Sequence, residues 1–181
     1  GILPLRAGGR VFTTAASFRR HLQKVIMPHL LSMPMEDPIA AYDSGAPAGI
    51  PSSLTRRWPQ LRVEEAVDLG RFSWSHAIGP AALRGGSEAG LQRLEDFMSG
   101  QLGRYHTDRN GVETGAVSGL SPYLHFGFVS SYTCVRRVIE RAGWNEEYVA
   151  PKPTGSRQGW WGMDEASEAF LDQIITWREL G

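Results

Sequence analysis

The chain has 181 residues, 41% of them apolar and 21% charged, with 19 basic and 19 acidic side chains in balance. That length suits one domain, or one and a part. The composition is that of a globular chain, and a net charge of zero removes any global electrostatic case for nucleic acid. One cysteine, Cys134, excludes an internal disulfide and fits a reducing compartment, and no apolar run reads as a membrane span. Lys24 and Lys152 are the only lysines, so nearly all positive charge is arginine. Arginine suits bidentate phosphate contacts, although a high-GC coding bias explains the excess more simply.

Taken in order, Gly1-Ile-Leu-Pro-Leu5 opens without an initiator methionine, and Gly181 closes the chain at the end of a strongly patterned helix. Both ends read as the interior of a longer protein. Thr13 or Thr14 caps a helix running to about Met27, with Phe18, Leu22, Val25 and Ile26 on one face. Pro28 breaks or re-caps it, and His29 to Leu31 form one more turn. Residues 32–60, with five prolines, have the composition of a linker. Leu61 to Leu69 reads as a short helix, and residues 70–86 are again rich in glycine and proline.

Regular structure resumes at Ser87, a plausible cap, with Leu91, Leu94, Phe97, Met98 and Leu102 at helical spacing and Tyr105 extending that face. Ser130 or Ser131 caps a helix to Ala142, ended by Gly143, with Cys134, Val135, Val138 and Ile139 inward. Residues 144–163 form a loop in which Trp160 and Trp161 read as anchors. Asp164 caps the last helix, whose Phe170, Leu171, Ile174 and Trp177 make an apolar face. No alternating run of strand length exists, so the fold class is all-α. His106 and His125 lack partners at metal-ligand spacing, and no metal site is expected. Tyr105 by itself reads as a core residue, and His125 as a packed or hydrogen-bonded histidine.

The stretch Ser118-Gly-Leu-Ser-Pro-Tyr-Leu-His-Phe-Gly127 carries the most chemistry. Ser121 before Pro122 is a helix-start signal, and Gly127 supplies a helix-ending residue. Pro122 to Phe126 should therefore be a short helix. Two serines and a glycine front its N-terminus, with no acidic side chain nearer than Glu113. Free backbone N–H groups and hydroxyls there make a ready anion site. The same pattern also describes an ordinary serine-capped connecting helix.

Four motifs in order resemble the DNA photolyase/cryptochrome family. They are Gly85-Gly-Ser-Glu-Ala-Gly-Leu91, Leu102-x-x-Tyr105-x-x-x-Arg109-Asn110, the Ser118–Gly127 stretch, and Phe170-Leu-x-x-Ile-Ile-x-Trp-Arg-Glu-Leu180. One residue more separates Phe170 from Trp177 than in the common microbial class, which is similar to the class II branch or a bacterial relative of it. The resemblance implies that residues 85–181 are the N-terminal half of a helical FAD-binding domain. It implies that residues 1–84 are an extended Pro/Gly-rich interdomain linker with one or two helices. It allows an antenna chromophore in a preceding domain.

The resemblance also assigns roles. Val117, Ser118, Gly119, Leu120 and Ser121 match the segment that holds the FAD diphosphate. Tyr105 matches a tyrosine that contacts FAD, and Phe170 falls where many relatives have a tryptophan against the flavin. Arg109 matches an arginine that meets DNA, Trp177 the tryptophan that stacks on a flipped pyrimidine dimer, and Gln173 the residue that contacts the lesion. Two departures stand out: Val117 replaces the usual threonine, and Gln173 replaces the glutamate of dimer photolyases. Six-four photolyases and many cryptochromes also carry glutamine there. The implied activity is light-driven repair of DNA carrying pyrimidine photoproducts, by a monomeric, nucleoid-associated cytoplasmic enzyme without membrane contact. The alternative is a cryptochrome-type blue-light photoreceptor that binds FAD without repair.

Overall fold

In the computed structural model, the described residues are 1–32, 34–35, 37–40, 42, 45, 49–58, 60, 62, 70, 72–73, 77, 79, 81–111, 113 and 115–180. They form helices and loops with no strand among them. None of these helices is long and apolar enough to cross a membrane. The chain divides into two units, residues 1–34 with 83–181, and residues 35–82. The first 34 residues belong to the same unit as the motif-bearing part. The short helix expected over Leu61 to Leu69 lies outside the described residues, Arg62 apart.

In the larger unit, α1 (Leu5–Gly8) leads into α2 (Ala15–Leu31). Thr14 caps α2, its hydroxyl accepting from Ser17 N–H at 3.2 Å. Phe18, Leu22, Ile26 and Leu30 line its buried face. The expected break at Pro28 is absent, and the helix runs through it. Lys24 and Pro28 lie on the exposed side. Water can there take the carbonyl that proline leaves without a donor, while Ile26 and Leu30 hold both turns in the core.

In the smaller unit, α3 (Ser52–Arg57) follows Pro51, and the Arg57 guanidinium sits 4.8 Å from the Trp58 ring centre. Asp37 makes an Asx-type turn, accepting from Ile39 and Ala40 N–H, each at 3.0 Å.

The larger unit resumes with α4 (Ser87–Gly100), where the residue before the helix is Gly86, with φ 100°, and Ser87 makes no capping bond. Ser87 is the first helical residue, not its cap. A 3-10 turn (Leu102–Arg104) leads into α5 (Tyr105–Asp108). Helix α6 (Ser121–His125) ends before Gly127, whose φ of 74° releases the Phe128 and Val129 N–H groups back to the Tyr123 carbonyl. Gly90 of α4 is where this turn presses closest: an added Cβ would lie 2.6 Å from Val129 Cγ2 and 2.9 Å from Tyr123 Cδ1.

Ser130 caps α7 (Ser131–Ala142), accepting from Thr133 N–H at 3.0 Å, and Gly143 ends it at φ 55°. Its buried face is Cys134, Val135 and Val138. The 144–163 loop, with one 3-10 turn (Glu146–Tyr148), is anchored by Trp160 and Trp161, both buried. Trp144 Nε1 donates to the Trp161 carbonyl at 2.7 Å, and buried Glu168 accepts from Gly159 and Met163 N–H.

Asp164 caps α8 (Glu165–Leu171), accepting from Ser167 N–H at 2.9 Å. The helix continues through a π-helical segment, Asp172–Trp177, into α9 (Arg178–Leu180). A π turn holds one more residue per hydrogen-bonded ring than an α turn. That further residue per ring is accommodated here without breaking the helix. The wider turn also moves Trp177 off the buried face: Ile174 and Ile175 are in the core, while Trp177 is half exposed.

Candidate functional site

An open cavity of about 800 Å³ lies between α5, α6 and the π segment, and a second of about 410 Å³ adjoins it. Tyr105, Ser118, Ser121 and Gln173 line both. Phe170 lines the larger one, and Arg109, Val117 and Gly119 the smaller. Eight of the ten residues singled out in the sequence therefore share one pair of cavities. Leu120 does not, being fully buried in the core. Trp177 lies off both linings but meets Gln173 at their edge.

The Ser118–Ser121 turn is held from beneath by Arg93 of α4. Its Nε donates to the Ser118 carbonyl at 2.7 Å and its Nη2 to the Val117 carbonyl at 2.9 Å. Gly119, at φ 66°, fits where a Cβ would lie 2.8 Å from Arg93 Nε. Ser121 is the first residue of α6 rather than its cap, and the helix has five residues. With so short a helix, the hydroxyls of Ser118 and Ser121 matter more for an anion than any dipole. Among the described residues, no acidic side chain lines either cavity, while Arg109 and Arg178 do. That set of donors and cations suits a phosphate.

Tyr105 and Phe170 form the apolar wall with their rings at right angles, 5.5 Å between centroids, and Phe97 supports Phe170 from the core at 4.8 Å. The Tyr105 phenol is pushed up chiefly by burial, against the pull of the nearby Arg109 guanidinium. It stays protonated at neutral pH.

Gln173 is the meeting point. With its amide turned so that donors face acceptors, its oxygen accepts from Arg109 Nη1 at 3.1 Å and from Trp177 Nε1 at 3.2 Å. The Nε2 end can then only donate, and Gln173 lines both cavities. The three residues assigned to nucleic acid by motif, on α5's end and the π segment, are thus in direct contact. The guanidinium of Arg109 also stands 5.6 Å from the Tyr105 ring centre.

The sequence missed several contributors. Arg178 lines the larger cavity and donates to the Leu124 carbonyl at 3.3 Å. It sits inside the quoted Trp-Arg-Glu-Leu motif, which was the available signal. His125 and Phe126 also line the cavity and are exposed, their rings 4.7 Å apart. His125 is not the packed residue expected. Arg93 gave no signal, because its role depends on how α4 lies under the turn. Among the described residues, no group of three His, Cys, Asp or Glu could hold a metal.

No protein-family model matches the chain. Over 178 residues it is 28% identical to a deoxyribodipyrimidine photo-lyase of Oryza sativa subsp. japonica, covering 96% of this chain and 30% of that protein. Over 183 residues it is 28% identical to one of Arabidopsis thaliana, covering 96% and 31%. Over 115 residues it is 36% identical to one of Streptomyces griseus, covering 56% and 25%. The chain spans about 30% of the length of these plant relatives.

Proposed function

From a chain related over most of its length to the deoxyribodipyrimidine photolyases, we propose a light-driven DNA repair protein that binds FAD and a flipped pyrimidine photoproduct. Residues 85–181 are then the N-terminal half of its helical FAD-binding domain, and residues 1–84 the segment that leads into it. Ser118 and Ser121 hold the diphosphate from the turn braced by Arg93, with the Gly119 backbone close against it. Tyr105 and Phe170 form the wall beside the cofactor. When bound, a reduced flavin supplies a photo-excited electron, and the protein supplies binding, orientation and electrostatics.

The observation that carries the reading is the convergence of Arg109 and Trp177 on Gln173 at the edge of a cavity lined by Tyr105, Ser118, Ser121 and Phe170. An unstacked base can lie on the Trp177 ring, worth about 1–3 kcal/mol. The Gln173 Nε2 then donates to a base carbonyl, while Arg109 keeps the amide in that sense and offers charge to a phosphate. The glutamine at 173 also favours a second reading, a cryptochrome-type photoreceptor with the same flavin site and no repair.

Gel-shift titrations with irradiated and unirradiated duplex, plus repair under blue light, test the choice in the product of the full reading frame. Preference for irradiated duplex, lost about tenfold in Trp177→Ala with undamaged duplex little affected, is expected. Gln173→Glu should raise repair of cyclobutane dimers by adding the carboxyl that the dimer enzymes of the family use. Equal affinity for both duplexes with no photorepair would remove the enzyme reading and leave the photoreceptor.

A further inference from the structure

We propose that Arg19 and Asp172 are a positioning pair that sets the plane of the Trp177 ring. This rests on the reading of Trp177 as a base-stacking residue. Arg19, on α2, grips the Asp172 carboxylate with two parallel bonds, Nε to Oδ1 at 2.8 Å and Nη2 to Oδ2 at 3.0 Å. Its third nitrogen, Nη1, donates to the Gly155 carbonyl at 3.1 Å. Only 13% of the Arg19 side chain and 4% of the Asp172 side chain are exposed. Oδ2 of the same carboxylate accepts from Trp177 Nε1 at 3.2 Å. Asp172 and Trp177 are the first and last residues of the π segment, so this bond closes the wide turn side chain to side chain.

A buried ion pair is a poor way to gain stability, since apolar residues of like volume often do as well. Its distinctive product is geometry. The planar guanidinium fork holds both carboxylate oxygens in one plane, and that fixes where Oδ2 stands. Trp177 is half exposed, so burial alone does not fix its ring. Its indole is oriented instead by Nε1, shared between Asp172 Oδ2 and the Gln173 oxygen. Arg19 therefore acts on the ring through Asp172 without touching a ligand. The segment before residue 35 contributes to the site by this route.

The test uses the product of the full reading frame. Arg19→Met alone strands a buried carboxylate and can unfold the protein, so the main variant is Arg19→Met/Asp172→Leu, which removes both charges at similar volume. Arg19→Lys keeps the charge and gives up the fork. Two readouts are followed beside the melting temperature. One is the indole N–H resonance of Trp177, assigned by its absence in Trp177→Ala; the other is the preference for irradiated over unirradiated duplex. The double variant should melt close to the parent, lose the hydrogen-bonded shift and exchange protection of that resonance, and lose about tenfold in preference, as Trp177→Ala does. Arg19→Lys should move both readouts part of the way. A Trp177 resonance unchanged in shift and exchange overturns the proposal whatever the DNA result. Wild-type preference in the double variant, with preference lost in Trp177→Ala, also overturns it. If Trp177→Ala itself keeps the preference, the lesion reading fails, and the indole resonance alone decides the pair.

Discussion

The Tyr105 ring meets the Phe170 ring edge to face, at 90° and 5.5 Å. One residue opens α5 and the other sits on α8, yet both are at once core and cavity wall. Phe170 is 1% exposed and still lines the larger cavity. Stability and site geometry are therefore coupled at this contact.

Phe170→Ala should cost about 3–5 kcal/mol, because Phe97 and Tyr105 cannot both collapse into the space left. For a chain of this size that is a fall of about 6–20 °C in melting temperature. Tyr105→Phe keeps the ring contact and should change stability by less than about 1 kcal/mol. Calorimetry on both variants checks this, and equal losses would show that the phenol, not the ring, carries the contact.

Ser121→Ala separates ligand binding from helix capping. The Ser121 hydroxyl makes no capping bond, so the melting temperature should stay within the shift expected for about 0.5 kcal/mol. Losing a hydrogen bond to a charged phosphate costs about 1.5–3 kcal/mol, so FAD affinity should drop about tenfold or more. Thermal melts and a flavin fluorescence titration of the full reading frame's product measure the two. Unaltered flavin affinity would take Ser121 out of the site.

Glu168 predicts a pH dependence. Burial pushes its carboxyl up, against the backbone N–H groups of Met163, Gly159, Gly162 and Trp161 that pull it down. A carboxyl with a raised folded pKa binds its proton more tightly when folded. Its contribution is complete below the ordinary glutamate value of about 4.3 and is lost as pH rises through the raised one. Stability from this group should thus decline with rising pH across that window. Glu168→Gln, which stays neutral at every pH, should lack this slope. Parallel pH profiles for the two proteins would contradict the assignment.

Cys134 should be inert in the native protein. It is fully buried, and burial pushes its thiol up to about 12 despite the nearby Arg178. The thiolate is the reactive form, so a disulfide reagent at mildly alkaline pH should label Cys134 only after denaturation. Rapid labelling of the folded chain would mean that the α7 face opens.

Features set within one turn of chain could be read from the sequence. The caps at Thr14, Ser130 and Asp164 and the stop at Gly143 are of this kind, since each needs only a side chain and a backbone group about three residues away. The apolar faces of α2, α4 and α7 follow from helical spacing in the same way, and the ordered motifs brought the site residues together in advance. Even so, Ser87 and Ser121 carry the capping signal without capping, because Gly86 and Leu120 take the position that neighbouring packing selects. Tertiary structure alone decided the continuity of α2 through Pro28, the brace of Arg93 under Gly119, and the place of His125 and Arg178 on the cavity. It also decided the bidentate grip of Arg19 on Asp172 and the two hydrogen bonds that the Gln173 oxygen accepts from Arg109 and Trp177. Apart from the Gln173–Trp177 bond, these contacts join elements distant in the chain. Their geometry depends on the crossing of packed helices, which no local run of residues encodes.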